Sequence, residues 1–251
     1  MNNLASLSLL EGEKEKAISL FDSAICSDPL YVEPYLNIAR LFMEMHEFSS
    51  AEPYLRNVLN VEKDNVEALN LLGVIKNITE RSEEAVEHFQ DALRNNADQA
   101  SVLSNLGIAL RATGALKPAI IAFEKAGELS PDTLTTINNL GVLYRETGQL
   151  ERAEMYFTRA IELFPENPFP YFNISELYIE RDDYEKAMNM LKKYIMLVPL
   201  DMDNLFKTCG IARMADRLID VIQEMQSFIV EAEPDDLRVD VVKKWLDTVR
   251  K

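Results

Sequence analysis

Cysteine and histidine are scarce in this chain of 251 residues. Its two cysteines, Cys26 and Cys209, lie far apart in the sequence, and neither has a second cysteine or a histidine at the spacing of metal ligands. This scarcity excludes a disulfide framework and gives no indication of a zinc site. The sequence therefore predicts a protein without a metal or another cofactor.

Positive charge is in the minority, since 26 lysines and arginines stand against 42 acidic residues, for a net charge of −16. A strongly acidic chain is a poor match for nucleic-acid phosphates or for anionic membrane surfaces. No apolar run approaches the ~18 residues of a membrane span, and the first residues lack the basic segment and long apolar core of a secretory signal. We expect a cytoplasmic protein that neither binds nucleic acid nor inserts into a membrane.

Sequence motifs of catalysis are also missing. The chain contains no GxxxxGKS or GxxxxGKT phosphate loop, no GxGxxG after a strand, no HExxH and no CxxC. Its paired acidic residues, such as Glu83 with Glu84, come at predicted helix starts, where carboxylates stabilise exposed backbone amides. We predict that the chain is not an enzyme.

The chain does contain an internal repeat, which recurs about every 34 residues. Residues 104–119 read SNLGIALRATGALKPA, and residues 138–153 read NNLGVLYRETGQLERA. Small residues recur at this interval as Ala17, Ala51, Ala85, Ala119, Ala153 and Ala187, and large ones as Phe21, Leu55, Phe89, Phe123, Phe157 and Leu191. Another position holds Ala5, Ala39, Gly73, Gly107, Gly141 and Ser175. Glycine inside a helical pattern indicates a packing requirement there.

Each repeat splits into two apolar stripes with helical spacing. In one repeat the first stripe consists of Ile137, Leu140, Gly141 and Tyr144. A Gly-Gln pair interrupts the pattern, and the second stripe consists of Ala153, Phe157, Ala160 and Leu163. This spacing predicts two antiparallel helices per repeat.

The order of leucine, glycine, alanine, phenylalanine, alanine and proline positions resembles the tetratricopeptide repeat over residues 1 to about 201. The resemblance implies an all-α fold, an α-solenoid of antiparallel helix pairs in a right-handed superhelix. We expect an array over 1–233, with units at about 1–31, 32–65, 66–99, 100–133, 134–167, 168–201 and a degenerate seventh at 202–233. The first unit begins part-way into its opening helix, and 234–251, which includes Trp245, is expected to form a capping helix.

Three residues depart from the pattern. Lys63 and Ala97 replace the proline that closes a unit, and Lys76 stands where neighbouring units have an aromatic residue or leucine. We expect these departures to cost some stability without breaking the array.

Asparagine recurs at one position of the predicted first helices. The position holds Asn3, Asn37, Leu71, Asn105, Asn139, Asn173 and Lys207. Core packing does not require asparagine, whose amide can pair with a peptide backbone as both donor and acceptor. The resemblance implies that first helices line a concave groove, so we predict a row of amides along this groove. The alternative is that these amides bond a neighbouring helix or water.

Neighbouring positions add polar and apolar side chains to the predicted groove. They supply Asn70, Asn77, Arg111, Asn138, Arg145 and Phe172, and Phe169 and Phe206 extend the apolar end. The two arginines could hold a carboxylate of a partner, although both could instead pair with Glu146 or Glu180. The phenylalanines could accept an apolar side chain.

The sequence therefore predicts a non-catalytic scaffold or adaptor that binds an extended peptide or a helix of another protein in this groove. Two alternatives remain open. One is a structural protein that assembles with its own copies through an apolar N-terminal edge, which includes Leu7, Leu9 and Leu10. The other is the repeat part of a larger enzyme, such as a glycosyltransferase, since the chain starts inside a repeat.

Overall fold

The computed structural model describes residues 2–95 and 98–198, together with single positions between 223 and 246. Within these residues the chain forms twelve α-helices and no strand. Successive helices pack as antiparallel pairs, and the all-α solenoid predicted from the sequence is confirmed. The predicted seventh unit and capping helix, with Phe206 and Trp245, lie outside the described residues apart from those single positions.

The chain divides into two compact units, Met1–Ser130 and Pro131–Lys251. The first contains α1 (Asn2–Leu10), α2 (Lys14–Ser27), α3 (Val32–Glu44), α4 (Phe48–Val61), α5 (Val66–Ile78), α6 (Ser82–Asn95), α7 (Ala100–Ala112) and α8 (Leu116–Leu129). The described part of the second contains α9 (Leu134–Glu146), α10 (Leu150–Leu163), α11 (Pro168–Glu180) and α12 (Tyr184–Leu197). From α3 onward, the first helices of the pairs begin at equal intervals along the chain, and the interval is that of the sequence repeat.

The repeated large and small positions form the core of each helix pair. The large residue of the second helix is at most 1% exposed in all six described pairs, from Phe21 to Leu191. The alanine one helical turn before it, from Ala17 to Ala187, is fully buried as well. Small side chains let the helices approach closely, and the large ones fill the space between them.

Three glycines in the first helices are required by this packing. A Cβ atom at Gly73, Gly107 or Gly141 would lie 2.5 Å from the nearest ring atom of the phenylalanine on the paired helix. Such a distance is shorter than any ordinary carbon–carbon contact. The packing reason that the sequence indicated for glycine inside a helix is therefore the phenylalanine ring that lies against it.

The turn inside each helix pair holds one residue in the left-handed backbone region. The residue is Gly12, Gly114 or Gly148 in three pairs, with φ between 75° and 81°, and His46, Glu80 or Asp182 in the others, with φ between 58° and 60°. A residue with a Cβ atom loses ~1–2 kcal/mol in this conformation, which glycine adopts freely. His46 therefore occupies a turn position and does not lie on a helix face.

Candidate functional site

The predicted row of asparagines lies on the first helices of the repeats. The side chains of Asn37 on α3, Asn105 on α7, Asn139 on α9 and Asn173 on α11 are all half-buried. A half-buried amide can bond to the protein and to a ligand at the same time, because it carries two donors and an acceptor. The neighbours of each amide decide how much of this capacity is already used.

Three of these asparagines donate a hydrogen bond to an asparagine of the preceding first helix, and the bond from Asn37 to Asn2 is part of a larger side-chain network. In Met1–Ser130, Asn105 Nδ2 donates to Asn70 Oδ1 at 3.0 Å. In Pro131–Lys251, Asn173 Nδ2 donates to Asn138 Oδ1 at 2.9 Å. The partners are 35 residues apart in both cases, so the same geometry occurs in each unit. We call these two contacts the amide pairs.

Each amide pair keeps hydrogen-bonding groups that no described residue occupies. The first pair uses one N–H of Asn105 and the oxygen of Asn70. The oxygen of Asn105 and the amide nitrogen of Asn70 bond to no other described residue, and both side chains are half-buried and thus partly open to solvent. The same applies to Asn173 and Asn138. Each pair therefore presents an acceptor and a donor, which are the complement of one peptide group.

Asn37 is already occupied by other side chains. It donates to Asn2 Oδ1 at 3.2 Å and accepts from Arg40 Nη1 at 2.7 Å. Arg40 also donates to Glu67 from Nε at 2.8 Å, and Asn2 donates to the hydroxyl of Tyr31 at 3.2 Å. This network joins α1, α3 and α5, and it leaves Asn37 with less capacity for a ligand than the amide pairs have.

Asn139 and Asn77 make local hydrogen bonds. Asn139 Nδ2 donates to the backbone oxygen of Thr135 on its own helix at 2.8 Å. The side-chain oxygen of Asn77, at the end of α5, accepts from Ser82 Oγ at 3.0 Å. Ser82 begins α6, so Asn77 holds the turn between the two helices.

The two arginines lie in the last turns of α7 and α9. Arg111 is half-buried. The Arg145 side chain is only 20% exposed, and its Nε lies 3.6 Å from Glu180 Oε1 on α11. Arg145 Nη1 is buried and donates to no acceptor among the described residues. The Glu180 carboxylate therefore occupies the position at which the sequence led us to expect a partner's carboxylate.

The apolar end differs between its two described phenylalanines. Phe169, in the first turn of α11, is 61% exposed, and its ring makes no aromatic contact within the described ranges. Phe172, one turn later, is half-buried, and its ring centroid lies 5.5 Å from that of Tyr194 on α12. Phe169 is therefore the more accessible of the two apolar surfaces for another molecule.

Two apolar side chains beside the first amide pair were not among the residues predicted from the sequence. Val74 follows Asn70 by one turn of α5, and Ile108 follows Asn105 by one turn of α7. Both are half-buried, and residues three or four apart share one face of a helix. The signal was available, because this repeat position holds Ser6, Arg40, Val74, Ile108, Val142 and Glu176 and is apolar only in the middle repeats.

Two other properties of the described ranges bear on function. No helix in them has both the length and the apolar character needed to cross a membrane. These residues also include no group of three histidine, cysteine or acidic side chains that could hold a metal ion.

Comparison with known proteins gives three matches to models of the tetratricopeptide repeat, at residues 79–132, 136–167 and 170–199. YrrB, described as a TPR protein with an unusual peptide-binding site, is 25% identical with a TM-score of 0.62 over 74% of this chain and 96% of its own. MamA is 23% identical with a TM-score of 0.59, over 63% of this chain and 93% of its own. PilF of Pseudomonas aeruginosa is 17% identical with a TM-score of 0.65, over 85% of this chain and 97% of its own. Among curated proteins, none matches this sequence.

The family matches agree with the molecule itself. The helix pairs recur at the interval of the sequence repeat, and their alanine, glycine and phenylalanine positions form the buried contacts between paired helices. This chain belongs to the tetratricopeptide repeat family.

Proposed function

We propose that this protein is a non-catalytic scaffold or adaptor that binds an extended segment or a helix of another protein along the first helices of its repeats. The observation that carries this proposal is the presence of an amide pair in each unit, Asn105 with Asn70 and Asn173 with Asn138. Each pair connects two neighbouring first helices, and a bound peptide group would in addition satisfy the donor and the acceptor that the pair still offers.

The dimensions of the repeats fit an extended ligand. Neighbouring helices pack ~8–10 Å apart, and an extended peptide advances ~3.3 Å per residue. Within one unit, successive first helices would thus meet about every third residue of the ligand. YrrB supports the proposal, since this relative is described as having a peptide-binding site and its structure covers most of the present chain.

The side chains around the amide pairs would select the ligand. Val74 and Ile108 place aliphatic surface beside the first pair, and Arg111 adds a positive charge at the end of α7. Phe169 offers an exposed ring at the start of α11. We propose a ligand with apolar side chains at these two places, with a weaker contribution from Asn37, Asn77 and Asn139, whose amides already serve the protein.

A peptide-binding experiment tests the proposal. Random dodecapeptides displayed on phage are selected on the purified chain, and a selected peptide is then synthesised with a fluorophore and titrated. Asn105→Ala and Asn173→Ala should each weaken binding by ~0.5–1.5 kcal/mol, which is about two- to tenfold. Asn57→Ala, which removes an exposed amide on α4, is the matched control and should bind like the wild type.

Two results would contradict this function. Selection that yields no peptide above background would remove peptide binding as the activity. A selected peptide that binds both asparagine variants with unchanged affinity would place the binding surface elsewhere. Melting curves of each variant separate a lost contact from a lost fold, because the amide pairs also connect neighbouring helices.

One observation favours self-assembly as a second candidate function. On α1, Leu4, Leu7 and Leu10 are 52%, 49% and 86% exposed. Leu9, in contrast, packs against the buried cluster that contains Phe21. Three exposed leucines on one short helix are an apolar surface that a second copy could cover. Light scattering over a wide concentration range tests this candidate. A constant monomer mass would remove it, and an oligomer that dissociates in Leu7→Ser would support it.

A further inference from the structure

Two buried polar contacts occupy equivalent positions of the repeat. Lys76 Nζ on α5 donates to both carboxylate oxygens of Glu52 on α4, at 2.8 Å each. Tyr178 Oη on α11 donates to Glu154 Oε1 on α10, also at 2.8 Å. Glu154 follows Glu52 by three repeat periods, and Tyr178 follows Lys76 by the same interval. Both contacts join the second helix of one repeat to the first helix of the next.

The Lys76 and Tyr178 side chains, which donate in these contacts, are both buried. The Lys76 side chain is 1% exposed and that of Glu52 is 21% exposed, so water screens their charges weakly. The hydrogen bond from Lys76 lowers the pKa of Glu52 to about 2. Burial, together with the Glu154 carboxylate, raises the pKa of Tyr178 to about 12. Glu52 thus stays ionised, and the Tyr178 hydroxyl stays protonated, across the physiological range.

The other repeats of Met1–Ser130 carry apolar residues at these positions. In Met1–Ser130 the equivalent residues are Ile18 with Phe42, and Val86 with Leu110. Burial of an apolar pair needs no particular partner, since any apolar surface of similar size will serve. A buried ammonium group is different, because it loses its hydration and requires a carboxylate or an equivalent acceptor at one place.

We propose that the contacts of Lys76 with Glu52 and of Tyr178 with Glu154 fix the order in which the helix pairs stack. The pairs share the same buried alanine position and the same large apolar position, which holds phenylalanine or leucine, so their contact surfaces are similar. If α5 stacked one repeat out of place, Lys76 would face Ile18 or Val86 and would be buried without an acceptor. Displaced stacking of α11 on α12 would likewise place the Tyr178 hydroxyl against Met188.

The physical basis is the asymmetry between keeping and breaking a buried polar contact. Replacement of both partners by apolar residues is often neutral for stability, whereas removal of one partner is strongly destabilising. Such a contact therefore adds little to the native fold but excludes alternatives in which it is unmatched, as a buried polar residue does in coiled coils. Chains of similar repeats need this protection, because misassembly between repeats is their characteristic failure in folding.

The test compares single and double replacements at the α4 and α5 junction of the full chain. Glu52→Val alone, which leaves the buried ammonium group of Lys76 without its carboxylate, should lower the folded-to-unfolded ratio by roughly 100- to 1000-fold in denaturant titrations. Lys76→Leu alone should lower this ratio less, because Arg56 still pairs with Glu52. The double variant has the side chains that Val86 and Leu110 provide in the next repeat, and its unfolding midpoint should return close to that of the wild type. Single variants as stable as the wild type would overturn the proposal, because the contact would then not form in solution.

Refolding distinguishes a contact that sets stacking order from one that is only structural. Each protein is unfolded in denaturant and diluted, and hydrogen exchange with mass spectrometry then compares it with a sample that was never unfolded. The wild type should return as one population. The double variant should return with a second population whose protection differs in α4, α5 and α6. A double variant that refolds into the single native population at the yield of the wild type would overturn the proposal.

Two further variants complete the experiment. Val86→Leu with Leu110→Val is the matched control, since it alters packing at the neighbouring junction without a change in polarity, and it should refold as one population. If the first double variant does not fold, Glu154→Val with Tyr178→Leu puts the same question to the second contact. Correct refolding of that variant would again contradict the proposed role.

Discussion

The contact between Gly107 and Phe123 leads to a quantitative stability prediction. A methyl group added at Gly107 would lie 2.5 Å, 2.6 Å and 2.9 Å from three atoms of the Phe123 ring, which is fully buried. Overpacking of a core costs ~1–3 kcal/mol, and the overlap with three ring atoms places this site at the upper end. Alanine inside a helix recovers about 1 kcal/mol relative to glycine. We expect Gly107→Ala to lower the free energy of unfolding by about 2 kcal/mol.

A second substitution identifies the ring as the cause. Phe123→Leu alone should cost about 1 kcal/mol, because it leaves unfilled space beside the glycine. In the double variant the added methyl group should enter that space, as Ala39 lies in one buried cluster with Leu55 in another repeat. The double variant should therefore be no less stable than Phe123→Leu. The corresponding coupling free energy is about 2 kcal/mol, well above the error of additive behaviour.

Urea titrations followed by circular dichroism give the four free energies of the cycle, and hydrogen exchange assigns the loss to α7 and α8. The local readout is needed because repeat proteins can unfold in parts. Wild-type stability in Gly107→Ala would refute the reasoning, as would additive losses in the double variant. In the first helix pair, Ala5 and Phe21 occupy the same two repeat positions as Gly107 and Phe123 and share one buried cluster. The cost expected here therefore applies to the helix pairs whose native residue is glycine.

Four further outcomes are expected. Glu80→Gly should raise the free energy of unfolding by up to ~1 kcal/mol in urea titrations, because the left-handed turn no longer strains a side chain. The folded pKa of Glu52 is lowered to about 2, so its contribution of at most ~3 kcal/mol should be present above about pH 4.5 and lost as the pH falls towards 2; titrations at several pH values should show a smaller acid loss in Glu52→Gln. Burial and, to a smaller extent, the positive charge of the nearby Lys76 lower the pKa of His88. The unfolded chain therefore binds a proton more readily at this histidine, so stability should fall as the pH drops below about 6.5, and His88→Gln should remove this dependence. Phe169→Thr should weaken the selected peptide without a change in melting temperature, because the ring is exposed.

The helix pairs and their core could be predicted from the sequence because their signals are local and repeated. The alanine and phenylalanine positions recur at a fixed interval, and each fills the same place in every described pair. The glycine position was informative for the same reason, since glycine is unfavourable in a helix unless something lies against it. The phenylalanine ring of the paired helix is what lies against Gly73, Gly107 and Gly141.

The use of the asparagines could not be predicted in this way. The repeat position showed that an amide was present, but the acceptor belongs to a different position of the preceding repeat, 35 residues earlier. A comparison at the fixed interval of the repeat does not pair these two positions. The link from Arg40 to Glu67 spans 27 residues and joins two repeats at a place where other repeats have no charge pair. Such contacts depend on side-chain direction, which periodicity does not specify.

Lys76 shows how a departure from the repeat should be judged. Taken alone, a lysine at an apolar position suggests a loss of stability, and the sequence led us to expect one. The structure places Glu52 against it, which is also a departure from its own repeat position. Two departures that meet in space compensate each other. Phe169 is a departure of another kind, since an exposed ring replaces the polar residues found at this position in other repeats and meets no aromatic partner in the described part of the chain. Residues that depart from the repeat and contact each other, such as Lys76 and Glu52, therefore serve the stacking of the repeats. Residues that depart from the repeat and face solvent, such as Phe169, are the first candidates for contact with another protein.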